Sequence, residues 1–221
     1  MPDRSDVGNP RSLVDDAICR FGREWTEDAA DGLIATGEAG LRRMLEVFLD
    51  ESPDRLGFPA GRESTDRFNE GLGLLIDRHP AMFVDIVRGH PLPWPHQRSL
   101  VCIWLGLIGD PSTSAIPCRH LDDPDWIVRL HATRAIALLG DERSRVGVEH
   151  ALEDQNLSVR LAAIQALSRW EPQRAIPLYE RFLRRGKVVS RRAPSKLLQR
   201  EAKADLAALQ SGRPRHPSVL A

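Results

Sequence analysis

A thirty-one-residue repeat constrains this chain more than any other feature of its sequence. Val128-Arg129 returns as Val159-Arg160, Gly109-Asp110 as Gly140-Asp141 and Leu121 as Leu152, each pair 31 residues apart. Self-similarity at a fixed period of this length signals stacked supersecondary units, because one unit alone cannot bury its apolar face. The segment from Leu107 to Arg129 overlies the one from Leu138 to Arg160 without a gap. Further steps back reach Arg98 and then Arg67, with Ile76-Asp77 in the slot of Leu107-Ile108.

Each unit reads as two helices. A first run (Ile116, Leu121; then Val146, Val148, Leu152) has helical spacing, and an Asp/Pro/Asn turn follows it. The second run, Val128, Ala132, Ala135, Ile136 and Leu139, places one apolar stripe on one face of a helix. Gly140 closes that run, where a left-handed cap is easiest for a residue without a Cβ. Aromatic residues make up only 5% of the chain, and no stretch sustains period-two alternation, so strands are not expected. The expected fold class is all-α.

An Asp in the turn ahead of a Val-Arg pair on the second helix resembles the HEAT repeat. The short period, the closing Gly-Asp and the segments Ala115-Ile116-Pro117 and Ala175-Ile176-Pro177 resemble the HEAT-like subfamily named after phycobilisome (PBS) lyases. The resemblance implies an α-solenoid of helical hairpins in which turn Asp and helix Arg form a ladder between repeats. It assigns that role to Asp123, Arg129, Asp154, Arg160 and Arg98, the last without its acid, since Leu92 occupies the corresponding position.

The pattern changes at both ends. After Arg160 the Gly-Asp pair becomes Glu171-Pro172, which marks the array ending or bending. Before Arg67 no copy is visible, although Ser12–Arg23 and Glu38–Asp50 are amphipathic, with Leu41, Met44, Leu45 and Phe48 in one stripe. The expected organisation is a divergent helical cap and a Pro/Gly-rich loop (52–62) over residues 1–62, a HEAT-like array over 63–185, and a basic tail with a capping helix over 186–221. That helix is Ser195–Gln210, whose Leu198, Ala202, Leu206 and Leu209 share a face.

Net charge is zero, but it is unevenly placed. Residues 181–221 hold eleven basic and two acidic residues, net +9, so residues 1–180 carry net −9. An acidic body disfavours a nucleic-acid groove, including that of a HEAT-like DNA glycosylase, and no aromatic residue follows Phe182 to stack on bases. The basic end reads first as a capping helix, Ser195–Gln210, and second as a docking tail for an acidic partner or nucleic acid that uses the polybasic stretch Arg181–Arg192. No apolar run is long enough for a membrane span, the first residues lack a secretory signal, and the three cysteines form no C-x-x-C pair. A cytoplasmic protein is expected. The excess of 28 Arg over 3 Lys suggests a GC-rich bacterial gene.

Catalytic motifs are missing from the sequence. There is no G-x-S-x-G, no phosphate-binding loop and no dinucleotide fingerprint; Gly71-Leu72-Gly73 sits in an apolar helical run. His90, His120 and His150 are spaced by 30 against a period of 31, so they slip about 100° per step around a helix and share no slot. No metal site, cofactor or catalytic residue is assigned. Cys102, among Val101, Ile103 and Trp104, is expected in the core.

Trp104 and Trp170 lie inside helical runs, whereas Trp94 and Trp126 fall at the starts of neighbouring second helices, where a side chain can reach the surface. Second helices line the concave face of solenoids, where extended partners bind. On them His131, Arg134, Ala162, Gln165 and Arg169 lie off the apolar stripe. The candidate partner-binding set is Trp94, Trp126, His131, Arg134, Gln165 and Arg169. The function this supports is a non-catalytic interaction scaffold, adaptor or inhibitor whose partner is another protein. The alternative that the resemblance offers is an accessory subunit of a bilin lyase or another ligand-handling protein.

Overall fold

The computed structural model describes residues 10–50, 62–185 and 195–212, and its regular structure there is helical throughout. Nearly all of the Pro/Gly-rich segment, the basic stretch 186–194 and the last nine residues fall outside those described. The chain divides into two units, Met1–Leu92 and Pro93–Ala221.

The first unit contains α1 (Pro10–Glu24), α2 (Glu27–Ala35), α3 (Gly37–Asp50), α4 (Arg62–Arg78) and α5 (Pro80–Gly89). The stripe Leu41, Met44, Leu45 and Phe48 is buried, together with Ile18, Phe21, Leu33, Phe68, Leu72 and Leu75. Helix α2 has no counterpart in the sequence reading. Thr26 starts it, its hydroxyl accepting from the Ala29 N–H at 3.2 Å. Gly71 lets α4 approach α1 and α2, since a Cβ there would stand 2.8 Å from the Phe21 ring and 3.0 Å from Leu33. This packing accounts for Gly71-Leu72-Gly73. Helices α4 and α5, which the repeat reading placed at the head of the array, pack within this unit.

The second unit contains α6 (Pro95–Ile108), α7 (Ala115–Cys118), α8 (Trp126–Leu139), α9 (Arg145–Ala151), α10 (Leu157–Trp170), α11 (Pro172–Arg185) and α12 (Lys196–Gln210). Helices α6, α8 and α10 are each 14 residues long and begin 31 residues apart. Neighbours in this series pack on one another, with α7, α9 and α11 as the alternate layer. Gly109 and Gly140 end α6 and α8 at φ 72° and 67°, left-handed values that a Cβ would penalise. The Asp after each glycine has a different use: Asp110 caps a 3₁₀ turn, accepting from the Ser112 N–H at 2.9 Å, and Asp141 accepts from the Ser114 hydroxyl of the preceding repeat at 2.5 Å.

The core runs between layers through Ile136, Val148, Val159, Ala163 and Ala166, then through Leu161, Ile164, Tyr179 and Phe182 onto Ala202 of α12. Trp104 is buried and Trp170 packs against the core. Two expectations about exposure are corrected. Ala162 is buried, because a short side chain lets the helix sit against its neighbour. Val146, assigned to an apolar stripe, is 77% exposed, because α9 is only seven residues long and buries Val148 and Ala151 instead.

Candidate functional site

The turns leading into α8 and α10 are each held by an aspartate. Asp123 Oδ1 accepts from the Asp125 N–H at 2.9 Å, and Asp154 Oδ1 from the Asn156 N–H at 2.7 Å. Each carboxylate then takes an arginine from the preceding second helix. Arg98 Nε and Nη2 donate to Asp123 at 2.6 and 3.2 Å; Arg129 does the same to Asp154 at 2.7 and 3.0 Å. Both arginines also donate from Nη1 to a carbonyl of their own turn, Pro93 at 2.7 Å and Asp123 at 2.8 Å. The sequence expectation that Arg98 lacks its acid is therefore corrected. The pairing runs forward, from a helix to the next turn 25 residues on, so position 92, a leucine ahead of Arg98, was the wrong place to look for its acid. In the sequence the residue 25 positions after Arg160 is Arg185, so that slot carries no acid.

Burial works against the Asp123 and Asp154 carboxylates, but the guanidinium and backbone donors outweigh it and hold both below the usual carboxylate range. These paired groups form the frame on which the more open residues sit.

Trp94 is the residue preceding α6 and Trp126 the first residue of α8; they are 59% and 42% exposed. Trp126 lines a groove of about 690 Å³ between consecutive turns, with Leu121, Asp122, His150, Ala151 and Glu153. His150 Nδ1 lies 3.5 Å from Asp122 Oδ1 across it. The sequence reading missed Asp122, His150 and Glu153 as one locality, because a groove edge is assembled from two repeats whose residues share no slot.

His131, Arg134 and Gln165 occupy a second locality, on the face of α8 and α10. Their surroundings differ from an open binding face. Gln165 Nε2 donates to Asp205 of α12 at 2.9 Å, the Tyr179 hydroxyl approaches the same carboxylate at 3.5 Å, and the charge of Glu201 acts on Arg134. Burial and the adjacent Arg134 push the His131 pKa down to about 4, so its imidazole is neutral at physiological pH. The structure thus splits the candidate set: the two tryptophans at the turn edge, three residues near α12, and Arg169 exposed near the end of α10. The signal for α12 was present in Glu201 and Asp205, an acidic pair one helical turn apart in an otherwise basic segment.

Burial raises the Cys102 thiol to about 12, which makes it a core residue rather than a nucleophile. Among the described residues no three histidine, cysteine or acidic side chains converge to hold a metal ion, and no helix is long and apolar enough to cross a membrane. Arg181 pairs with Glu153 at 2.8 Å and Arg184 lies 3.8 Å from Glu180. The remaining basic residues up to Arg192 lie outside the described side chains.

Residues 92–168 and 118–197 each match the HEAT repeats family. No curated protein matches the sequence.

Proposed function

We propose that the HEAT repeats at 92–197 serve as a non-catalytic interaction module that holds another protein, acting as a scaffold, adaptor or inhibitor. HEAT repeats commonly mediate protein–protein interaction, and one observation supports that use here. Trp94 and Trp126, two large amphipathic rings, stand exposed at the start of successive second helices, and Arg98 ties both turns, donating to the Pro93 carbonyl before Trp94 and to the Asp123 carboxylate before Trp126. Rigidly mounted aromatic side chains are efficient anchors, because little conformational entropy is lost when they are covered. We assign partner contact to Trp94 and Trp126, with Arg169 and the open parts of His131 and Arg134 as flanking contacts; Gln165, engaged by α12, contributes less. Arg98, Asp123, Arg129, Asp154 and Arg160 belong to the frame. The finer likeness to the repeats named after phycobilisome lyases rests on sequence marks alone, and no chromophore chemistry is assigned from it.

The test is affinity capture by the tagged chain against the Trp94→Ala/Trp126→Ala double variant. Both are surface substitutions and should leave the thermal midpoint in place. A protein retained by the native chain and lost by the variant at unchanged Tm is the expected result. Equal retention by both, or no retention above background, overturns the reading.

A further inference from the structure

We propose that the groove between the turn before α8 and the turn before α10 binds an arginine side chain presented by the partner protein. The groove is an open cleft of about 690 Å³, large enough to admit one side chain. Its lining includes four carboxylates, Asp122, Asp123, Glu153 and Asp154, against one arginine, Arg129. The two inner acids are already engaged by Arg98 and Arg129, and Glu153 by Arg181. Asp122 differs. Its side chain is 84% exposed, and among the described residues its ionic neighbour is the His150 ring, which is charged only when protonated. A rim carboxylate thus faces solvent in the same groove as a half-exposed indole, with the partly buried Leu121 and the buried Ala151 among its apolar lining.

That combination fits one side chain better than others. A guanidinium is planar, so it can stack on the Trp126 ring while two of its N–H groups point at one carboxylate, and its methylene stem can lie against the apolar part of the lining. A lysine ammonium offers neither the stacking plane nor the paired donors. A metal ion would need several converging ligands, which the groove does not bring together. The preceding repeat supplies an internal contrast: one period back from His150 stands Arg119 and one period back from Asp122 stands Pro91, so although Asp122 and Asp123 fill the slots of Glu153 and Asp154 there, the counterpart of the exposed rim carboxylate is missing beside Trp94.

The inference rests on the interaction-module reading and narrows it. Its test uses the full chain, ¹⁵N-labelled, with the Trp126 indole signal assigned from Trp126→Phe. The probes are acetyl-Gly-Arg-Gly-amide and the same peptide with citrulline, which keeps the shape and loses the charge. A saturable shift of the Trp126 indole by the arginine peptide is expected, about tenfold weaker with citrulline. It should vanish in Asp122→Asn, with the Trp94 indole unmoved. No shift, equal affinity for both peptides, or unchanged binding in Asp122→Asn overturns it. A chain that keeps its protein partner but ignores the arginine peptide sinks the groove assignment alone. One that binds the peptide yet captures no protein sinks the wider reading alone.

Discussion

The Arg129 guanidinium grips both carboxylate oxygens of Asp154, at 2.7 and 3.0 Å, while its third nitrogen donates to the Asp123 carbonyl. Asp123 in turn is gripped by Arg98. Three consecutive turns are therefore tied by one chain of charge-assisted bonds, and each link spans two repeats.

Removing one link should destabilise the stack without unfolding it. Arg129→Ala is expected to lower the unfolding free energy by about 1 to 3 kcal/mol, since it strands a largely buried carboxylate. Asp154→Ala should cost a similar amount, and the double variant less than their sum, as urea denaturation at pH 7 would show. Strictly additive losses would mean that the two side chains do not depend on each other.

His131 gives a pH signature. Its folded pKa, about 4, lies below the ordinary value of about 6.5, so the fold favours the neutral ring and the unfolded chain takes up the proton first. Its contribution is complete above pH 6.5 and declines as pH falls toward 4. Burial lowers His96 and His120 in the same direction, so the native slope contains all three. His131→Gln should flatten the dependence of Tm on pH in that window, and a slope identical to the native one would rule the assignment out.

Asp123 and Asp154 act in a lower window. Their depressed pKa values give stability that is full above about pH 4, the unfolded carboxylate range, and is lost as pH falls through the folded values. Asp154→Asn should therefore lose less stability than the native chain on acidification below pH 4, measured by urea titration at successive pH values.

Two glycine substitutions should move stability in opposite directions. At Gly106 in α6 a new Cβ would stand 3.1 Å from the Ala135 Cα of α8, a backbone atom with little freedom to yield, so Gly106→Ala is expected to destabilise by about 1 to 3 kcal/mol. At Gly32 in α2 a Cβ meets nothing within 4 Å, and Gly32→Ala should stabilise by about 0.5 to 1 kcal/mol through helix propensity. Thermal melts of the two variants settle both signs.

Cys102 should resist iodoacetamide in the native chain at pH 8 and react only on unfolding, because burial raises its thiol to about 12. Mass spectrometry of the native protein would contradict the buried assignment if Cys102 carried the label.

By itself the sequence determined the helices of the second unit and their turns. The apolar stripe Val128, Ala132, Ala135, Ile136 and Leu139 and the capping glycines act within about one helical turn of their neighbours, so their consequences are local and readable. The Arg and Asp of each link were legible as residue types; the partner of Arg98 was not, because the direction of pairing depends on how one hairpin stacks on the next. Helix α2 escaped because its nine residues, Glu27–Ala35, are too few for a strong periodic signal. Only the tertiary structure decided which candidate residues meet. It set Asp205 against Gln165, 40 positions apart, and brought Trp126 together with His150 and Glu153 from the following repeat. Such contacts depend on the packing distance and rotation between helices, which close packing of side chains such as Ala162, Ala163 and Tyr179 fixes and no local pattern encodes.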